Sequence, residues 1–300
     1  MEIRDPVHGT LILSDSETLV VDSPEYQRLR LIRQLGFSEF AYPAATHNRY
    51  LHSLGVCHLA GLAFDQIFNK ENRISSQQKQ VLRRCLKLAA LLHDVGHGPL
   101  SHVIEEVMPD FSGLHLPILP PENRRATHED YTLKYLTNSP LTEVLRSGFP
   151  DFTPLHVACL IDHHLKAPDD FFMASGVDYR PILSQLVSSE LDCDRMDYLE
   201  RDSYFCGTNY GKIDLHWMLA NLGTHLLENR AVLALNRRAL YTFDDFLISR
   251  HHMHLMVYFH HKSIIYEEML HRYLTSSDCG FFLPSDINEY TSYTDSKLYE

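Results

Sequence analysis

The sequence predicts a mainly α fold, a multi-helix bundle with small β-hairpin additions. Three observations predict it. Apolar residues recur at helical spacing through most of the chain, as where Val81, Cys85, Leu88 and Leu92 fall on one face. Strand character is confined to residues 10–13 and 231–242. A chain of 300 residues that is 44% hydrophobic can also bury a substantial core.

The first 22 residues read as short extended pieces, with Thr10-Leu11-Ile12-Leu13 bounded by His8-Gly9 and Ser14-Asp15. After Ser23-Pro24-Glu25, residues 26–35 have helical spacing at Leu29 and Ile32 and stop at Gly36. Helices are expected over 50–69 and 76–94. Residues 109–126, rich in Pro and Gly, should form a lid-like loop near a site rather than core. Further helices are expected over 127–138, where Thr127 is a natural N-cap with Asp130 three residues on, and over 154–165, 181–203 and 241–275. Ala231-Val232-Leu233-Ala234-Leu235, then Asn236-Arg237, then Arg238-Ala239-Leu240-Tyr241-Thr242 reads as a hairpin. The helical pattern breaks after Leu274. Residues 1–275 therefore read as one domain and 276–300 as the start of an incomplete C-terminal lobe.

A formal net charge of −12 argues against nonspecific nucleic-acid binding, although Arg28, Arg30 and Arg33, and Arg124 with Arg125, form local basic groups. No stretch has the eighteen apolar, uncharged residues of a membrane span, and the first residues lack the order of a secretory signal. Six cysteines without a CxxC pair do not form a disulfide framework. A soluble cytoplasmic protein is expected.

Twenty histidines cluster, most densely in His93-Asp94-Val95-Gly96-His97-Gly98-Pro99-Leu100-Ser101-His102. Three imidazoles and a carboxylate at the end of an apolar helix suit a divalent transition metal such as Fe, Mn, Zn or Ni. Single helix-end histidines more often interact with terminal carbonyls; four such residues beside glycines point to a metal. Asp194, Tyr198 and Asp202 recur every four residues and share a helical face, with Asp197 and Arg201 about a third of a turn away. That face is either a partner to the metal motif or a solvated acidic surface. His128 beside a carboxylate is either part of a helix start or a proton carrier. Arg250, His254 and Tyr258 lie at successive turns, a ridge of anion-binding donors or a basic surface stripe.

Taken in order, Asp5-Pro6-Val7-His8-Gly9, Tyr26-Gln27-Arg28-Leu29-Arg30, Gln34-Leu35-Gly36, His47-Asn48-Arg49-Tyr50-Leu51-His52-Ser53-Leu54-Gly55-Val56, the decapeptide at 93, the acidic run 194–202 and His261-Lys262 resemble the HD-domain metal-dependent phosphohydrolases. The resemblance is to the deoxynucleoside triphosphate triphosphohydrolase branch and extends over most of the chain. It implies an HD-type helical bundle in which His52, His93, Asp94 and Asp194 bind the metal. It further implies that His102 donates the proton at the scissile phosphate, supported by Glu105 and His128. Glu105 departs from the family's usual Asp. His97, Gln34, Arg49, Arg195, Tyr198, Asp202, Arg250 and Tyr258 match positions that contact phosphates, sugar or base. The implied activity is hydrolysis of a deoxynucleoside triphosphate, accompanied by Mg, to deoxynucleoside and inorganic tripolyphosphate. Relatives are commonly homo-oligomers, dimers or tetramers, for which residues 1–22 would serve as an interface. Two other readings use the same ligands: a phosphatase or phosphodiesterase for another nucleotide, and a catalytically silent nucleotide-binding module.

Overall fold

Residues 1–299 are described in the computed structural model. A hairpin of β1 (Glu2–Asp5) and β2 (Gly9–Ile12) opens the chain, pairing Glu2 with Ile12 and Asp5 with Gly9. The expected run of extended pieces stops there. Ser14 and Glu17 form a capping box that starts α1 (Asp15–Val21). Helix α2 (Pro24–Gln27) is one turn, capped by Ser23, and gives way to a 3₁₀ segment at Arg28–Leu31. A single helix over 26–35 does not form, because Ile32 turns extended and Arg33 bridges Asn48.

Asn48 caps α3 (Arg49–Phe68), whose Leu54, Val56, Leu59, Ala60 and Phe64 are buried. Ser75 caps α4 (Ser76–Leu92), which lays Leu82, Cys85, Leu86, Leu88 and Leu92 against α3. These two helices and α9 (Cys193–Cys206), which also packs on α3, frame the centre of the molecule. Around them lie α5 (His128–Thr137), α6 (Pro140–Gly148), α7 (Pro154–Ile161) and α8 (Arg180–Val187). Thr127 and Asp130 form the expected capping box at α5.

The stretch 181–203 is two helices rather than one. Ser188 is extended, and the Asp192 carboxylate accepts from the Ser189 and Arg195 amides, so a new N-terminus starts at Cys193. Residues 109–126 are a loop, but not a lid free of core. The Phe111 amide bonds Arg124, the Ala126 amide bonds Pro109, and Phe111, Leu114 and Leu116 are buried beneath that closed neck.

A small sheet takes the order β3 (Met173–Ala174), β4 (Val177–Asp178), β6 (Arg230–Leu235), β5 (Leu222–Leu227). The hairpin therefore lies one strand earlier than the sequence suggests, pairing Leu222 with Leu235 and Leu227 with Arg230. Its turn is at Glu228, which takes φ +55°, and Asn236 instead caps a 3₁₀ turn leading into α11 (Leu240–Met253), preceded by the short α10 (Leu215–Ala220). The β6 amide of Leu233 bonds the Gln185 side chain on α8, a long-range tie absent from local pattern.

The expected helix 241–275 is also broken. After α11, His254–Tyr258 winds as a π-helix and α12 (His261–Leu274) follows, capped by His260. Residues beyond α12 cross back over the first half, with α13 (Ile287–Tyr290) placing Tyr290 flat on Tyr131. No helix among the described residues is long and apolar enough to cross a membrane.

Candidate active site

The end of α4, the first turns of α3 and the first turn of α9 converge. His52 Nε2 lies 2.9 Å from Asp194 Oδ1 and 3.7 Å from Asp94 Oδ2. His93 Nε2 lies 3.4 Å from Asp94 Oδ1 and 3.6 Å from Asp194 Oδ1. Both Nε2 atoms are buried and lack a well-formed hydrogen bond, although Asp194 lies close to each. Their other ring nitrogens are engaged. His52 Nδ1 contacts Asp197 Oδ2 at 2.7 Å, and His93 Nδ1 contacts the Ala90 carbonyl at 2.8 Å. When each Nδ1–H donates and Nε2 gives up its proton, Nε2 presents a lone pair to a point flanked by two carboxylates. Two imidazoles and two carboxylates in this arrangement fit a divalent cation.

The electrostatics agree. Burial opposes charge on His52, but Asp194 and Asp197 outweigh it and push its pKa up to about 10. Burial likewise opposes charge on His93, which Asp94 and Asp194 nevertheless raise. The cluster is built to draw positive charge onto its Nε2 atoms.

A second group adjoins the first through His97. Its Nε2 lies 3.4 Å from Asp94 Oδ1, and its ring stacks on that of His128 at 3.8 Å between centroids. Glu105 Oε1 contacts the Nδ1 atoms of both His102, at 3.1 Å, and His128. Burial would raise the Glu105 carboxyl, yet the hydrogen bonds from His102 and His128 hold it near 2. Glu105 thus reaches both rings from the 3₁₀ segment Ser101–Val107, which also carries His102. Gly96 makes this approach possible: a Cβ there would meet the His128 carbonyl at 2.1 Å and the Thr132 amide at 2.3 Å. Leu100 and Ser101, at φ +53° and +61°, turn the backbone between the two groups. That turn is held by Asp295, which accepts from the Leu100 and Arg33 amides, and by the Ser101 hydroxyl donating to the Arg33 carbonyl.

A cleft of about 730 Å³, within the range that admits a nucleotide, reaches the second group at His102 and approaches the first through Arg49, which pairs with Asp94. Gln34, Arg49, His102, Tyr198, Asp202 and Tyr258 line it. Asp202 is fixed from both sides: Oδ1 contacts His47 Nε2 at 2.7 Å and Oδ2 accepts from the Tyr258 hydroxyl at 2.8 Å. Arg49 donates to Asp94 and, through Nε, to the Ser101 hydroxyl at 2.8 Å. Arg195 and Arg250 are not among the lining residues. Arg195 turns back to Ser189 and Asp192, and Arg250 pairs with Glu190 at 2.8 Å. Arg30, from the basic group near the N-terminus, lies over the Tyr50 ring at 3.5 Å.

Several residues with a part in this site were not singled out for a role by sequence. Asp197 accepts from His52, from His8 Nε2 at 2.6 Å, and from Arg201 Nε and Nη2 at 2.8 and 2.9 Å. Arg201 also reaches Asp5 at 2.8 Å, so the N-terminal hairpin buttresses Asp197 and, through it, His52. Arg28 donates to the Val95 and His97 carbonyls at 3.0 and 2.8 Å, holding the turn after Asp94. The one signal available was spacing: Asp197 lies one turn beyond Asp194, and no local pattern brings it to His52.

The model of the HD domain family matches residues 49–202, and that of the HD associated region matches residues 213–294. The first span holds all four candidate ligands and the His102–Glu105–His128 group. YwfO, an uncharacterised protein of Bacillus subtilis, is 32% identical over 93% of this chain and 57% of its own length. The human deoxynucleoside triphosphate triphosphohydrolase SAMHD1 is 28% identical over 89% of this chain and 43% of its own length. A crystal structure of a hypothetical protein from Aquifex aeolicus superposes with a TM-score of 0.76 and 28% identity, covering 100% of this chain and 70% of that one. The chain spans about half the length of the curated relatives it matches.

Proposed function

Given that the chain belongs to the HD-domain family, we propose that it is a metal-dependent phosphohydrolase that cleaves deoxynucleoside triphosphates to deoxynucleoside and inorganic tripolyphosphate. A divalent transition cation held by His52, His93, Asp94 and Asp194 supplies Lewis acidity to the phosphoryl group and to the attacking water. The remaining work falls to side chains. Glu105 engages His102 Nδ1, which leaves Nε2 as the nitrogen that passes a proton to the departing 5′-oxygen, while His128 braces Glu105 from the other side. Arg49 balances phosphate charge, with His97 beside it. Asp202, held by His47 and Tyr258, presents a carboxylate to a sugar hydroxyl; Gln34 and Tyr198 complete the wall, and Arg195 and Arg250 act at longer range. Magnesium enters with the nucleotide.

One observation carries this reading. His97 joins two buried Nε2 atoms, set between carboxylates, to a carboxylate-linked pair of histidines, one of which, His102, lines a nucleotide-sized cleft. The experiment is product chromatography after incubating metal-loaded protein with each of the four dNTPs. Tripolyphosphate is the expected product; pyrophosphate or orthophosphate would contradict the assignment.

A second reading has an observation of its own. Among the described residues, Arg49 is the one arginine lining the cleft, it is already paired with Asp94, and Glu106, Glu267 and Glu268 share the wall. That balance suits a less highly charged phosphoester of another nucleotide, which the same chromatography separates by substrate.

A further inference from the structure

Beyond the centre at His52, the chain holds a second set of metal-capable donors. The ligand atoms of His97, His102, Glu105 and His128 all lie within 4.8 Å of one another. Glu105 Oε1 sits between two imidazole Nδ1 atoms, 3.1 Å from that of His102 and in close contact with that of His128. A tetrahedral zinc with bonds of about 2.0–2.1 Å holds its donors roughly 3.3 Å apart, close to the 3.1 Å already present. A cation would therefore take the place of hydrogen-bonding protons with small movement. Among the described residues, no lysine or arginine pairs with Glu105 to compete for its charge. The His102 side chain is 67% exposed, so an ion has a path in from the cleft. His97 is 1% exposed with its Nδ1 unpartnered, but its ring lies parallel to that of His128 and must turn before both can bind one ion. Three donors, His102, Glu105 and His128, are enough, with the fourth position open as in catalytic zinc sites.

The two clusters differ in softness. The first offers two nitrogens and two oxygens, the second two or three nitrogens and one oxygen. The second therefore favours zinc over magnesium or manganese.

We propose that His102, Glu105 and His128 form a second, zinc-selective site whose occupation arrests the enzyme. The chemistry is a matter of tautomers. Zinc bound at Nδ1 holds each ring as its neutral Nε2–H form, releasing a proton from any ring that was charged. A zinc-bound neutral imidazole is a far weaker acid than imidazolium, so His102 loses its capacity to protonate a leaving oxygen. The arrest, though not the binding, rests on the reading of His102 as proton donor.

The test is a zinc titration of metal-free protein, read by equilibrium dialysis with elemental analysis and without substrate. Wild type is expected to bind two equivalents, one at the His52 centre and a further one at His102, Glu105 and His128. Glu105→Gln and His128→Ala should each weaken that binding at least tenfold. The exposed triplet Asp162, His163 and His164 is a competing sink for zinc, so His163→Ala is the control and should leave the further equivalent unchanged. Far-UV circular dichroism of Glu105→Gln, a near-isosteric change, guards against misfolding; if that variant fails to fold, His128→Ala decides the matter alone. Zinc retained by both variants, or lost in His163→Ala, overturns the site. If zinc binds as expected and hydrolysis of a phosphoester continues undiminished, the arrest is overturned; if no phosphoester is hydrolysed at all, the binding result still stands by itself and the failure belongs to the functional reading.

Discussion

At the scale of the residue, the candidate centre depends on side chains that never face the cleft. Asp197 fixes the His52 tautomer with a carboxylate that accepts four contacts, and an amide cannot replace it, because its NH₂ end would oppose a donor. Asp197→Asn is expected to weaken metal binding by about 10–100-fold. Metal retained after dialysis against a weak chelator, compared with wild type, measures this, and equal retention would count against the role. That His93 and Asp94 lie together was legible because they are neighbours, and the ordered motifs named His52 and Asp194, and His102, Glu105 and His128, as the groups that the fold brings close. Asp197, His8 and His47 were not, since a residue's hold on another 145 or 155 positions away leaves no mark in local spacing. Arg195 and Arg250 show the reverse error of scale: their positions suited phosphate, but nearby Asp192 and Glu190 take their guanidinium groups.

At the scale of the element, helices with a strong apolar face were readable and their interruptions were not. α3 and α4 fall within two residues of expectation, because a capping Asn or Ser marks the start of each, and α4 buries an apolar stripe while α3 is buried on nearly every side. The breaks at Ser188 and near Tyr258 come from side-chain bonds to backbone and from a π-turn, which a 3.6-residue period cannot register. The hairpin was misplaced by one strand because 230–242 alternates equally well on either side of Asn236, and packing on α8 decided the register. Contact between elements also sets the tightest constraint near the site. Gly96→Ala should force α5 and the turn after α4 apart, destabilising the protein by about 1–3 kcal/mol or more. A chemical-denaturation midpoint indistinguishable from wild type would show that the contact has slack.

At the scale of the whole molecule, distant segments are tied to the same few helices. Arg201, fully buried, joins β1 to α9 through Asp5 and Asp197, and Arg28 joins the turn after Asp94 to the Tyr293 carbonyl at 3.1 Å. Arg201→Leu leaves two buried carboxylates without their partner and is expected to cost about 3–5 kcal/mol, read from denaturant unfolding followed by circular dichroism. A cost below about 1 kcal/mol would mean that water reaches those carboxylates. The helical class and the presence of a metal-capable centre were both legible; the way the ends of the chain lock onto that centre was not, because it rests on long-range polar contacts. Under the proposed function, this centre is the seat of deoxynucleoside triphosphate hydrolysis. The most direct test measures bound divalent metal by elemental analysis alongside tripolyphosphate release from the four dNTPs, in wild type and in His52→Ala. The account predicts tripolyphosphate in proportion to bound metal, and a loss of both in His52→Ala; tripolyphosphate release by metal-free protein, or none from fully loaded wild type, would contradict it.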